Sequence, residues 1–196
     1  CNALQTTGIV FTGAVTGTVY TWTNTNTSIG LAASGTGNIP AFTATNTGTA
    51  SATANITVTI DAQADQPLIS GSTIGLEDSS INFGQNISVS LYDSDGSETL
   101  TSITVTIPGG LVPTYSGPGT VTDLGGGAYR ITGSAADIQT TLDSFAITPP
   151  LHSDANITVQ VTATTLDADT SVNTRTTPHV ITVQAVADMP SGTAAN

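Results

Sequence analysis

Not one lysine occurs in the 196 residues of this chain, and glutamate occurs only twice, as Glu77 and Glu98. An exposed helix face is ordinarily built from Lys, Glu, Arg and Gln, which keep most of their rotamer freedom in a helix. Here threonine supplies the polar surface, at roughly one residue in five. Thr, Val and Ile fit a pleated strand better than a helix. An all-α fold is therefore excluded and an all-β fold is expected.

The charge balance removes further classes. Fourteen acids stand against Arg130 and Arg175, for a formal net charge of −12. A nucleic-acid backbone is gripped by clustered Lys and Arg, so nucleic acid is not an expected partner. The same deficit argues against adsorption to an anionic membrane. No apolar run approaches the roughly 18 residues that cross a bilayer, so no membrane insertion by this segment is expected. The single cysteine, Cys1, leaves no internal disulfide, and without lysine no Lys–Asn isopeptide cross-link can form. Cys1 reads as a fragment boundary, a lipidated N-terminal cysteine or a reactive thiol, the last with no base nearby in sequence. No signal peptide opens the chain, which beside a secreted-type composition suggests a piece of a longer precursor.

The acids are unevenly spread. Between Cys1 and Ala64 the only one is Asp61, and the other 13 lie from Asp65 onward. That step predicts one domain over 1–64 and another over 65–187, with 188–196 beginning a further linker. The tetrad A-D-x-P occurs at Ala64–Pro67 and again at Ala187–Pro190, 123 residues later. A linker that recurs at a domain-sized interval is the mark of modules strung head to tail.

Both segments alternate apolar and polar residues between Gly and Asn clusters. In the first, strands are expected around Ile9–Phe11, Val15–Trp22, Ile39–Thr45 and Ala54–Ile60, with Trp22, Tyr20 and Phe42 as core anchors. In the second they are expected near 67–74, 81–91, 99–107, 111–122, 127–132, 145–148, 156–166 and 178–186. Ser134 and Asp137 have capping-box spacing ahead of Ile138 and Leu142, which predicts a helical turn there. The pattern predicts tandem immunoglobulin/cadherin-like β-sandwich domains.

Strands that alternate in direction gather their loops at two poles, and the acids follow the loops. The N-terminal pole of the second domain collects Asp61, Asp65, Asp93, Asp95, Glu98, Asp167 and Asp169. The C-terminal pole collects Glu77, Asp78, Asp154 and Asp188. Together these are 11 of the 14 acids. Carboxylates packed so closely repel one another. Ca²⁺ resolves this, since it takes six to eight oxygens and D-x-D on an extended loop aims alternate carboxylates to one side. The D-S-D-G-S-E run from Asp93 to Glu98 adds Gly96 for a tight turn. The competing reading is a set of solvated acidic loops.

Catalytic signatures are wanting. His152 and His179 stand alone, with no Cys or His at metal-ligand spacing. Gly35–Pro40 and Gly125–Gly127 read as turns, and the paired acids lie at loop tips and not in a cleft. No enzyme is expected. The sequons at Asn26, Asn55, Asn86 and Asn156 occur by chance in so Thr- and Asn-rich a chain. The T-x-T runs over Thr21–Thr27 and Thr43–Thr49 suggest ranked threonines of the ice-binding kind or a plain exposed strand face. They do not recur at a constant coil length, so no flat array is expected.

Four stretches carry a resemblance: Gly75–Ile81, Leu91–Leu100, Ile147–Ala155 and Val186–Pro190. Together they resemble the cadherin-like extender repeat of giant bacterial surface adhesins of the repeats-in-toxin type, across about 66–190. Tyr20–Asn24, Ser28–Asn46 and Ile56–Thr59 resemble instead the PKD-like repeat of Bacteroidota surface proteins, some of them gliding adhesins, here lacking the opening strand. The resemblance implies a non-catalytic stalk segment of an extracellular, cell-surface adhesin or filament, with Ca²⁺ at its junctions. Its partners would be neighbouring repeats of the same chain and other copies in a filament. The alternatives are a polysaccharide- or ice-binding module, and an accessory domain of a secreted enzyme.

Overall fold

A computed structural model describes residues 3–13, 18–61, 63–92, 96–168 and 170–187. It is predominantly β, with one α-helix among the described residues. Two compact units divide the chain, Cys1–Gln63 and Ala64–Asn196.

The first unit carries five short strands among the described residues: β1 (Leu4–Gln5), β2 (Val19–Asn24), β3 (Ser34–Thr36), β4 (Thr43–Ala44) and β5 (Ile56–Asp61). β3, β2 and β5 form an antiparallel sheet with β2 in the middle, and β1 pairs with β4. Its core is small, with Trp22, Leu31 and Ile39 buried and Phe11, Ile29 and Phe42 packed against them. Tyr20, expected as an anchor, is half-buried and stacks on Phe11 at 5.3 Å between centroids. Gly35 lies opposite Trp22, and a Cβ there would come within 2.3 Å of the indole ring. The glycine is what lets the indole lie across β3.

The second unit holds β6 (Leu68–Ser70), β7 (Thr73–Leu76), β8 (Ile81–Asn82), β9 (Ser88–Ser90), β10 (Glu98–Thr106), β11 (Thr120–Gly125), β12 (Ala128–Thr132), β13 (Ala146–Ile147), β14 (Ile157–Asp167) and β15 (Val172–Gln184). Six of them make one sheet in the order β11-β12-β10-β14-β15-β7. Its pairings are antiparallel except β15 with β7. Along β14 buried residues alternate with more exposed ones, so one face of this sheet looks inward. Over that face lie the pairs β6-β9 and β8-β13 and the helix α1 (Ala135–Leu142). Phe83, Phe145, Ile103, Val105, Ile131, Ile138, Leu142, Val159, Val161 and Ile181 fill the space between and are all but inaccessible. α1 starts where the capping-box spacing places it: the Ser134 side chain accepts from the Asp137 amide.

Several expected strands are redrawn: the one expected over 111–122 is confined to β11, and those over Ile9–Phe11 and Ile39–Thr45 shrink to an Ile9–Ile39 bridge and β4. The strand expected over 67–74 is cut at Gly71, whose φ is +127° and where a Cβ would meet the Asn86 carbonyl at 1.8 Å. The chain turns there from its pairing with β9 to lie beside β15. The strand expected over 81–91 is cut at Gly84, because Phe83 and Gly84 both donate their amides to the Phe145 carbonyl and a 3-10 turn follows over Gly84–Asn86. The last strand begins at Val172 and not at 178. It runs through Pro178, which tolerates the missing N–H because β7 joins that edge only from Ile181.

Candidate metal centre

At one end of the second unit β10 begins and β14 ends, and register sets Glu98 directly opposite Asp167. Opposed residues of an antiparallel pair have Cβ atoms about 4.5–5.5 Å apart, so the two carboxylates are neighbours. Both are buried, at 5% and 4% exposure. Asp167 Oδ1 is buried with no hydrogen-bond partner among the described residues. Burying a carboxylate oxygen without a proton donor or a cation is costly. The turn that follows is closed by Thr170 donating to the Asp167 carbonyl and by the Asp167 amide donating to the Ser171 carbonyl.

The segment that leads into the unit passes over this pair. The Asp65 amide donates to Glu98 Oε1, and the Asp65 carbonyl accepts from Thr165 Oγ1 at 2.9 Å. Of the acids expected at this pole, Glu98, Asp167 and the Asp65 backbone are thus brought together. Asp93, Asp95 and Asp169 lie outside the described residues. Asp61 ends β5 in the first unit.

The opposite pole is built differently. Glu77 is buried at 5% exposure and its Oε1 accepts the Val186 amide at 2.7 Å, while its own amide donates to the Gln184 carbonyl. Asp78 has φ +57° and accepts the His152 amide at 2.8 Å, with His152 Nδ1 3.5 Å from its other oxygen. The loop after β7 and the loop after β13 therefore meet. Asp154 is exposed, and Asp188 lies outside the described residues. The Asp78–His152 pair was not visible in the sequence, where His152 had no partner at recognisable spacing.

Among the described residues no three His, Cys, Asp or Glu side chains group as a metal site. What fits a hard cation is the Glu98–Asp167 pair, two adjacent carboxylates with one orphaned buried oxygen.

The first unit brings hydroxyls of three strands together. β2 sets Thr21 and Thr23 beside Thr36 and Ser34 of β3 and beside Thr59 and Thr57 of β5. Six hydroxyls therefore share one sheet face in two rows of three, and all but the half-buried Thr21 are exposed. The array comes from three neighbouring strands, so no repeat of the T-x-T runs was needed to make it.

No protein-family profile, curated protein or solved structure matches the chain.

Proposed function

We propose that the chain is a non-catalytic stalk segment of an extracellular bacterial surface adhesin or filament, built of immunoglobulin/cadherin-like sandwiches and stiffened by Ca²⁺. The observation that carries this reading is the buried Glu98–Asp167 pair at the end of the second unit, with Asp167 Oδ1 orphaned. A divalent cation there would neutralise both charges and take up the orphaned oxygen. Asp65, Asp93, Asp95 and Asp169 are the further acids that sequence places at this pole, and Glu77, Asp78, Asp154 and Asp188 those at the other. Partners would be neighbouring repeats and other copies. The composition supports the setting: no lysine and two arginines leave few trypsin-type cleavage points.

Thermal unfolding in EDTA and in millimolar Ca²⁺ tests this. An ion that binds only the folded state stabilises by RT ln(1 + [Ca]/Kd), about 2.7 kcal/mol at a hundredfold excess over Kd. Equal midpoints in the two conditions would sink the calcium reading.

A second reading takes the hydroxyl face of the first unit as a platform for a polysaccharide or for ice. Its support is the two-by-three array of Thr21, Thr23, Ser34, Thr36, Thr57 and Thr59. A glycan array and an ice-recrystallisation assay decide it, and silence in both removes it.

A further inference from the structure

Two consecutive residues ahead of β6 have every backbone polar group taken by a side chain of the second unit. The Ala64 amide donates to Ser171 Oγ at 2.7 Å, and the Ala64 carbonyl accepts from Asn173 Nδ2 at 2.9 Å. The Asp65 amide donates to Glu98 Oε1, and the Asp65 carbonyl accepts from Thr165 Oγ1 at 2.9 Å. Gln66 Nε2 reaches the Thr174 carbonyl at 3.3 Å. Ala64 is 8% exposed and Pro67, which has no amide to satisfy, is buried.

This is not strand pairing. The partners come from the start of β10, the end of β14, the turn after it and the start of β15, and four different side chains do what a neighbouring strand's backbone would do in a ladder. A bulkier residue than Ala64 would crowd the buried position. Each such hydrogen bond adds a modest net stabilisation, and the one to the Glu98 carboxylate more, since its acceptor is charged. Three of the four acceptor or donor side chains are neutral, and none of the four bonds needs an ion.

We propose that Ala64–Gln66 is a permanently docked part of the second unit, held by a cradle of Glu98, Thr165, Ser171 and Asn173 with or without a cation. The chain's freedom to pivot then lies N-terminal to Ala64. The D-A-Q-A-D-Q-P stretch is thereby divided: Asp61 closes β5, the second half from Ala64 is part of the second unit, and only what lies between them is linker. Glu98 is in this scheme a positioning residue whose backbone contact precedes any ion. The inference goes beyond the calcium reading and stands without it.

Amide hydrogen exchange by NMR on the 196-residue chain in EDTA tests the proposal. Protection factors for Ala64 and Asp65 should exceed that of Gln63 at least tenfold. Ser171→Ala should bring Ala64 down to the level of Gln63, and Glu98→Gln, which keeps an acceptor oxygen, should leave Asp65 protected. Val159 and Val161 report in the same spectra that the core is intact. Ala64 and Asp65 exchanging as fast as Gln63 in EDTA would overturn the proposal. So would protection that arises only on adding Ca²⁺, an outcome that leaves the calcium reading standing. Protection in EDTA with no response to Ca²⁺ supports the cradle, and the thermal midpoints in EDTA and Ca²⁺ then decide the calcium reading separately.

Discussion

Glu77 reaches the backbone of the segment that leaves the second unit, taking the Val186 amide onto its Oε1 at 2.7 Å. Glu98 does the same to the segment that arrives, through the Asp65 amide. These are the chain's only two glutamates, both all but buried, and they do one job at the two ends of one body. Aspartate, one methylene shorter, is used everywhere else.

Removing the first of these acceptors has a defined cost. Glu77→Ala leaves the Val186 amide without its partner, and losing this part-buried bond to a carboxylate should cost about 1–2 kcal/mol. Glu77→Gln keeps an oxygen in place and should lose less than half as much. Urea unfolding in EDTA compares them, and equal losses would show that the hydrogen bond is not what Glu77 contributes.

Asp167→Asn should change sign with the medium. In EDTA it removes a charge buried beside Glu98, so the midpoint should stay or rise. In Ca²⁺ it removes a donor, so most of the roughly 2.7 kcal/mol expected at a hundredfold excess should vanish. Thermal midpoints in the two buffers give the answer, and a fall of equal size in both would count against a metal role.

His179 should make the second unit sensitive to acid. Its ring is buried, with Nε2 2.8 Å from Thr73 Oγ1 and the Phe83 ring beside it. Burial pushes its pKa below the ordinary 6.5, while a backbone hydrogen bond with Gly71 works the other way. The unfolded chain therefore takes a proton more readily than the folded one. Its contribution to stability is full above pH 6.5 and is lost as pH falls from there towards the folded-state value. Thermal midpoints between pH 7.5 and 5 should decline in wild type and decline less in His179→Gln. Identical slopes would place the acid sensitivity elsewhere.

Gly71 is where one strand becomes two. Gly71→Ala sets a Cβ 1.8 Å from the Asn86 carbonyl oxygen at φ +127°. An alanine forced into such a backbone costs more than about 1 kcal/mol, and the clash adds to it. Gly96, with φ +88° and nothing within 4 Å of a Cβ, should lose less on the same change. Denaturant midpoints of the two variants test the contrast, and parity would refute it.

The β character of the chain was legible because it follows from composition: residues that dress a helix are missing and residues that suit strands abound. α1 was legible because Ser134 and Asp137 cap it locally. The cuts at Gly71 and Gly84 were not, since each is set by a carbonyl that only tertiary structure delivers, from Asn86 in one case and Phe145 in the other. The candidate site divides in the same way. Alternation put Glu98 and Asp167 near one end, but no spacing could reveal that one Glu98 oxygen takes an amide. The roles of Thr165, Ser171 and Asn173 were hidden for the same reason: a hydroxyl or amide that caps a distant backbone has no sequence signature.

The parallel pairing of β7 with β15 has a mechanical consequence. The two strands run side by side from Thr73 and Ile181 to Leu76 and Gln184. Tension applied between the front of β7 and the tail of β15 acts along both strands and loads their ladder in shear. The bonds must then give way together, whereas in a hairpin pulled from its open end they break one after another. A single-molecule extension record should show the second unit yielding in one high-force event, and a series of low-force steps would contradict this geometry. Resistance to stretch would in that case be a property of strand direction alone, already present in a body that has bound nothing.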